Sequence, residues 1–328
     1  MRTCLYSIAL LIGFAAATPV SGEPLAITSA NLDRFALLTS ATSFGPLAWR
    51  GGLELTSSNE KFGGLSGLMM SNECTSLRAV SDAGRWVTAD VTYTKDVLSG
   101  LANASITPIL DDKGRPPTSK LWGDAEAIAA GPDGKTIVGF ETRARVGAYD
   151  LIHKGLAAKF QNLNPPKEIA KGPGNGELES VGYFTDGSLK DNYIAIAESN
   201  FNAQGFTKAW VWNGKRRIAF AIKQLENYKI TDVAILPDGN VLILQRSFSL
   251  PNLPGMAIGR LSVRDIGAGK LVEPETLLEA KIPFYAVDNM EGLAVCERNG
   301  ELLVNLVSDN NFKTDLQRTL LLQFAYKP

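Results

Sequence analysis

Five oxygen-bearing side chains recur near the start of similar apolar segments along this chain. These side chains are Ser66, Glu126, Glu179, Asp232 and Glu291. Subtraction of neighbouring numbers gives steps of about 60, 53, 53 and 59 residues, a period typical of β-propeller blades. Calcium accepts about six to eight oxygen ligands from carboxylates, hydroxyls, carbonyls and water. We therefore expect one polar group per blade to face a common axis and to bind calcium there.

A structural role is the alternative for the same residues. They would then hydrogen-bond backbone groups at strand ends, or hold a calcium ion that only joins the blades. Magnesium is less suitable, because it demands near-octahedral geometry and keeps its waters. The chain has a single histidine, His153, which disfavours an imidazole zinc site. A Gly-x-Ser-x-Gly sequence is absent, so a serine hydrolase is also disfavoured.

A second polar set ends the apolar run that follows each opening strand. It consists of Asp82, Glu141, Glu198, Gln245 and Asp309. Antiparallel pairing returns the second strand to the level at which the first began. We therefore expect each blade to present two polar residues on the same face.

Arginines come soon after several of these strand ends. Arg143 and Arg145 follow Glu141, Arg246 follows Gln245, and Arg318 lies beyond Asp309. Guanidinium groups bind phosphate and carboxylate oxygens bidentately. This arrangement predicts that Arg143, Arg246 and Arg318 hold an anionic ester, with Asp309 or Glu141 orienting water. In the alternative interpretation each arginine pairs with a nearby acid, as Arg143 with Glu141 or Arg318 with Asp309.

Turn and strand signals place these residues in an all-β fold. Asp-Gly or Asn-Gly turns follow four of the opening strands, and short apolar runs follow the turns. A third strand is readable over 145–149, 209–212, 259–263 and 319–324. The segment 44–56 has strand character without a blade of its own, so we expect it to supply the last outer strand and close the ring. Five blades are favoured, and a sixth stays open.

Composition favours one large domain that is exported. The chain has 328 residues, 45% of them hydrophobic, and a net charge of -1. No basic excess points to nucleic acid. Arg2, the apolar run 5–17 and the small residues after it predict a signal peptide over 1–22, with the propeller over 23–328. No segment approaches a membrane span of about 20 apolar residues. We expect a periplasmic or secreted protein.

Two cysteines follow the predicted signal peptide. Cys74 and Cys296 each fall in the hairpin after an opening strand. If the last blade lies beside the first, the two residues could meet, and an exported location permits a disulfide. A pair of unbonded thiols in the core is the alternative, since pairing depends on Cα distances.

Several motifs around these residues resemble a known family. They lie at 64–68, 81–85, 124–128, 236–239, 288–293, 308–312 and 317–321. Together they resemble the bacterial phytase-like family, described as having esterase-like activity, over about residues 44–326. The resemblance implies an exported propeller that hydrolyses phosphate or other esters. Gln245 departs from the acid that this family pattern suggests in the fourth blade.

The opening set also resembles the axial calcium site of soluble calcium-dependent nucleotidases at five positions. The first hypothesis is therefore an exported calcium-dependent hydrolase acting on a small anionic ester. The second is a non-catalytic propeller of the cell envelope that binds a ligand or a partner protein on its acidic face. The fold alone does not separate them.

Overall fold

The computed structural model describes residues 22–172, 176, 178–248 and 254–327. Within these residues the chain forms five β-sheets, and the sequence-based prediction of a five-bladed all-β propeller is confirmed. The predicted signal peptide falls almost entirely on residues outside the described ranges. None of the described helices is long and apolar enough to cross a membrane.

We number the sheets blades 1 to 5 along the chain and give their strands from the inner strand outward. Blade 1 contains Leu65–Met70, Ser76–Ser81, Arg85–Thr94, Val97–Pro108 and Glu23–Pro24. Blade 2 contains Ala125–Ala130, Thr136–Phe140, Arg145–Tyr149 and Gln161–Asn162. Blade 3 contains Ser180–Tyr183, Tyr193–Phe201, Thr207–Trp212, Arg217–Ile222 and Leu271–Val272.

The last two blades follow the same plan. Blade 4 contains Lys229–Ile235, Val241–Ser247, Gly255–Leu261 and Glu275–Lys281. Blade 5 contains Met290–Arg298, Glu301–Ser308, Thr319–Tyr326, Leu47–Thr56 and Thr28–Asn31, and Ser43–Phe44 also pairs with Leu47–Thr56. The described helices are short: α-helices Lys120–Gly123 and Leu151–Lys154, and 3-10 turns Pro132–Gly134, Gly155–Ala157, Ile169–Lys171 and Val263–Asp265.

The inner strands form a ring in which each packs beside the next, and the inner strand of blade 5 packs beside that of blade 1. Apolar side chains fill the spaces between neighbouring blades, and they come from strands with both faces covered. Tight turns join the first two strands, as at Asp133 and Gly134, which both adopt positive φ. The polar residues at the strand ends are thus held by a rigid scaffold.

The N-terminal strand pairs where the sequence placed it. Leu47–Thr56 runs antiparallel to Thr319–Tyr326 as an outer strand of blade 5. That this strand closes the ring stays a prediction. The third strand of blade 4 begins at Gly255 rather than near 259. The first residues of this strand follow a proline-containing segment with the composition of a loop. The sequence therefore predicts a loop where the strand begins.

A disulfide joins the first and last blades. Cys74 and Cys296 are bonded, with their Cα atoms 5.5 Å apart. The sequence left this pairing open, because it depends on the inner strands of blades 1 and 5 being neighbours. The bond fits a protein that matures outside the reducing cytosol.

Candidate metal centre and active site

A β-bulge at the start of the inner strand aims a polar side chain in three blades. In blade 1 the register skips Ser66, in blade 2 it skips Glu126, and in blade 5 it skips Glu291. The extra residue of a bulge is unpaired and its side chain is re-aimed. The sequence pattern therefore located these three side chains at equivalent positions.

Blade 4 differs from this pattern by one residue. Its register skips Thr231, so Thr231 and not Asp232 occupies the bulge position. Asp232 Oδ1 accepts a hydrogen bond from Val233 N at 2.8 Å, and Oδ2 accepts one from Leu293 N at 2.7 Å. Both carboxylate oxygens thus accept hydrogen bonds from backbone N–H groups, and the bond to Leu293 links blade 4 to blade 5. Ser66 is also satisfied locally, since its hydroxyl donates to Gly64 O at 3.1 Å.

The strand-end acids lie at the same level as the bulges. Asp82 N donates to Gly64 O, Glu141 N to Asp124 O, and Asp309 N to Asn289 O, each at 2.9 Å. In each case the acceptor lies two residues before a bulge residue. In blades 1, 2 and 5 this hydrogen bond holds the strand-end acid at the level of the bulge residue.

Within the described residues, one group of three acids that could hold a metal ion belongs to blade 2. One carboxylate oxygen from each of Asp124, Glu126 and Glu141 lies within 4.8 Å of the others. Glu126 and Glu141 were predicted site residues, whereas Asp124 was not assigned a role. The sequence feature that could have identified Asp124 is the spacing Asp124-x-Glu126, which matches Asn289-x-Glu291 in blade 5.

Two oxygens around this group have no hydrogen-bond partner. Asp124 is fully buried, and among the described residues neither Asp124 Oδ1 nor Asp82 Oδ1 accepts a hydrogen bond. Lys120 Nζ lies 3.3 Å from Asp124 Oδ1 without hydrogen-bond geometry, and 2.9 Å from Asp82 Oδ2. Buried unpaired carboxylate oxygens are costly. Three clustered carboxylates with such an oxygen match the ligands that calcium prefers, so these residues fit a hard cation.

The electrostatics show the same excess of negative charge. Burial, and then the charge of Asp124, hold the pKa of Glu126 well above its usual range. Burial, and then the charge of Glu126, do the same to the pKa of Glu179. Burial also raises the pKa of Glu141, although a hydrogen bond with Glu179 opposes the shift. These carboxylates need either protons or a cation to share the site.

Basic side chains neutralise the acids on the side of blades 3 to 5. Arg246 Nη2 lies 2.8 Å from Glu198 Oε1, and Nη1 lies 2.8 Å from Glu291 Oε1. Lys229 Nζ lies 2.9 Å from Glu198 Oε2. Burial opposes the charge of Arg246, but Glu291 and Glu198 raise its pKa overall. Arg246 thus pairs with acids of blades 3 and 5, and its contact with an ester stays a prediction.

The remaining predicted residues lie in different surroundings. Asp309 is buried, and Asn311 N donates to its Oδ1 at 2.7 Å. Arg143 is exposed, and its guanidinium carbon lies 4.0 Å from the ring centre of Trp122. Arg318 lies 3.6 Å from both Glu54 Oε2 and Asp288 Oδ2. Arg318 therefore follows the acid-pairing alternative, although with Asp288 and Glu54 rather than Asp309.

The family comparison agrees with this arrangement. A model of phytase-like proteins, described as "Esterase-like activity of phytase", matches residues 60–312. The chain belongs to the phytase-like family. The matched region contains all the acids of the site described above, from Asp82 to Asp309. Membership of this family supports a hydrolase-type propeller. Among curated proteins, no sequence matches this phytase-like chain.

Comparison with solved structures found matches at low identity. An α-L-arabinofuranosidase from Podospora anserina has 11% identity and a TM-score of 0.49, covering 85% of this chain and 97% of that chain. A gluconolactonase from Xanthomonas campestris has 12% identity and a TM-score of 0.47, covering 93% and 89%. A virginiamycin B lyase from Staphylococcus aureus has 10% identity and a TM-score of 0.41, covering 92% and 99%.

Proposed function

We propose that this phytase-like protein is an exported, calcium-dependent hydrolase of phosphate or other esters. The observation that carries the proposal is the blade 2 group, in which three carboxylate oxygens lie within 4.8 Å of one another. Asp124 Oδ1 is buried there without a hydrogen-bond partner among the described residues. A cation satisfies both the charge and the unpaired oxygen.

The proposed ligands are Asp124, Glu126 and Glu141, with Glu179 beside them. Glu179 belongs to this set because its pKa responds to Glu126 and Glu141 after the effect of burial. A bound calcium ion would polarise the ester and favour deprotonation of a water molecule. Ser66, Asp232 and Glu291 are assigned supporting roles, since each is bonded to protein groups.

The protein's own residues would bind and orient the ester. Arg246 carries the positive charge nearest the acids of blades 3 and 5, and its Nε has no hydrogen-bond partner among the described residues. A charged donor of this kind suits a phosphate or carboxylate oxygen. Asp309 is the proposed proton acceptor, because Asn311 N occupies only one of its carboxylate oxygens.

Hydrolysis of p-nitrophenyl phosphate and p-nitrophenyl acetate tests the proposal. We expect turnover of at least one ester with calcium, and loss of that turnover in chelator and in Asp309→Asn. Asp238→Asn is the control, because Asp238 lies in an exposed hairpin turn of blade 4 and hydrogen-bonds Asn240. A folded, calcium-loaded protein inert toward both esters would favour the non-catalytic binding propeller instead.

A further inference from the structure

A cavity beside the acidic cluster has no role in the proposed chemistry so far. It lies between blades 1 and 2 and has a volume of about 810 Å³. The segment 109–118 leaves the outer strand of blade 1 and forms one wall, and Leu110 bridges to Lys159 across the gap. We call this cavity the blade 2 pocket.

Aromatic side chains line the opposite wall of the blade 2 pocket. Phe140, Tyr149 and Phe160 form an edge-to-face group, with ring centres 6.0 Å apart for Phe140 and Phe160 and 6.1 Å for Tyr149 and Phe160. Trp122 lines the pocket with 47% of its surface exposed. Aromatic walls favour an aromatic guest through stacked and edge contacts.

Two polar side chains line the pocket without an acidic partner among the described residues. Tyr149 is only 1% exposed, and among the described residues its hydroxyl makes no hydrogen bond although the side chain lines the pocket. Arg145 also lines the pocket, and within the described ranges its guanidinium forms no salt bridge, since Nη1 and Nη2 donate to backbone carbonyl groups. A guanidinium without a carboxylate partner suits an anionic group, and a phenolic hydroxyl can bond a polar substituent. A ligand with an anionic group and a polar substituent would provide both.

Arg145 lies between this pocket and the proposed metal ligands. Its guanidinium carbon stands 3.9 Å from the ring centre of Phe140, and Nη1 donates to Arg143 O at 3.1 Å. Nη2 donates to Trp122 O, two residues before Asp124. Burial lowers the pKa of Arg145, whereas the charges of Tyr149 and Asp124 oppose that shift. Glu141 directly follows Phe140, and adjacent Cα atoms are only about 3.8 Å apart.

We propose that the blade 2 pocket binds an aromatic ring carrying an anionic group, and that this ring is the organic group of the ester substrate. The second part rests on the proposed function, because it assigns the pocket to the same substrate. Arg145 bonds the anionic end of the ligand near the metal ligands, and Tyr149 bonds a polar substituent at the far side of the ring. Arg145, rather than the exposed Arg143, is then the arginine of blade 2 that contacts substrate.

Binding in the presence of chelator tests the pocket without any catalysis. The probe is 5-hydroxynaphthalene-1-sulfonate, titrated by calorimetry into the full chain. We expect Arg145→Met to weaken binding about tenfold and Tyr149→Phe about fivefold, as loss of one charged and one neutral hydrogen bond implies. The controls are Arg216→Met and Tyr183→Phe, which remove an exposed guanidinium and a hydroxyl bonded to Asp191. They should bind as the wild type does.

If Arg145→Met fails to fold, the comparison uses the conservative variant Arg145→Lys, which keeps the positive charge. It should bind the probe more tightly than Arg145→Gln does. Absence of binding to the wild type would overturn the proposal, and so would equal binding by the wild type and the Arg145 and Tyr149 variants.

Substrate selectivity tests the second part. We expect Trp122→Ala to lower the ratio of kcat/KM for 1-naphthyl phosphate over methyl phosphate about tenfold, while the value for methyl phosphate changes little. An unchanged ratio would refute the assignment to substrate even if the probe binds. If no ester is hydrolysed at all, the proposed function fails, whereas the probe titration still decides whether the pocket binds aromatic anions.

Discussion

Arg246 and Glu291 form a buried ion pair in which Nη1 lies 2.8 Å from Oε1. The other terminal nitrogen of Arg246 lies 2.8 Å from Glu198 Oε1, so one guanidinium links blades 3, 4 and 5. Among the described residues, Lys120 and Lys229 are the other basic side chains that pair with the acidic face. Protein cations therefore pair with acids of blades 3 to 5, and Lys120 lies near Asp82 and Asp124, whereas Glu126 and Glu141 have no basic partner among the described residues.

Replacement of Arg246 should be strongly destabilising. We expect Arg246→Met to lower the free energy of unfolding by about 3–5 kcal/mol, because it leaves buried Glu291 without its basic partner and Glu198 with Lys229 alone. Urea unfolding in chelator measures this effect. The control Lys61→Met breaks an exposed ion pair with Glu23, and should change the free energy of unfolding far less. Similar losses in both variants would contradict the buried role of Arg246.

The stability of the chelated protein should fall as the pH rises from about 5 to 8. Burial raises the pKa of Glu291 to about 8 and that of Asp309 to about 6. The unfolded chain releases these protons near pH 4, so the folded state holds more protons across this window and unfolding becomes easier as pH rises. Thermal unfolding in chelator at several pH values measures the trend. Stability that is flat or rising with pH would be inconsistent with these shifts.

Calcium should reverse that pH trend. Carboxylates must lose their protons to bind the ion, so the stabilisation by calcium is expected to be larger at pH 8 than at pH 5. The same thermal series with calcium added provides the comparison. An equal effect of calcium at both pH values would argue against carboxylate ligands.

Loss of the disulfide should destabilise the propeller without affecting the metal centre. The bond between Cys74 and Cys296 joins residues 222 positions apart. We expect the double variant Cys74→Ser with Cys296→Ser to lose about 3–5 kcal/mol, since the unfolded chain gains freedom. Urea unfolding checks the loss, and calcium affinity should stay within about twofold of wild type. A stability equal to wild type would contradict this role.

Asp232 should matter for stability and not for calcium. Its two oxygens accept hydrogen bonds from Val233 N and Leu293 N, so Asp232→Ala leaves two buried donors unsatisfied. We expect a loss of about 2–4 kcal/mol in unfolding free energy. The increase in melting temperature on adding calcium should be preserved in Asp232→Ala and lost in Glu126→Ala. Loss of the calcium effect in Asp232→Ala would return Asp232 to the ligand set.

Sequence periodicity predicted the fold and placed three of the polar side chains at equivalent strand positions. The recurring polar position located Ser66, Glu126 and Glu291 because a bulge in the strand makes that position geometrically distinct. It placed Asp232 one residue away from the equivalent position, because Thr231 and Asp232 are both polar and only the register separates them. A one-residue difference changes which face a strand side chain occupies.

Other features depended on contacts that a single sequence does not display. Asp124, a candidate ligand, lies just before the inner strand of blade 2. The pattern of polar residues that open the strands therefore did not include it. Arg318 pairs with Glu54 and Asp288, and Glu54 belongs to the N-terminal strand Leu47–Thr56. The disulfide likewise needed the position of blade 5 beside blade 1. The pairing of Arg318 with Glu54 and the disulfide both depend on contacts between segments remote in sequence.

Calcium titration of the chelated protein by isothermal calorimetry tests the central claim most directly. The account predicts saturable binding by the wild type and a loss of at least about tenfold in affinity in Asp124→Asn. The matched control Asp111→Asn removes a carboxylate that is paired with Arg115 outside the cluster, and should bind as the wild type does. Absence of binding by the wild type, or equal affinity in Asp124→Asn, would contradict a calcium centre in blade 2.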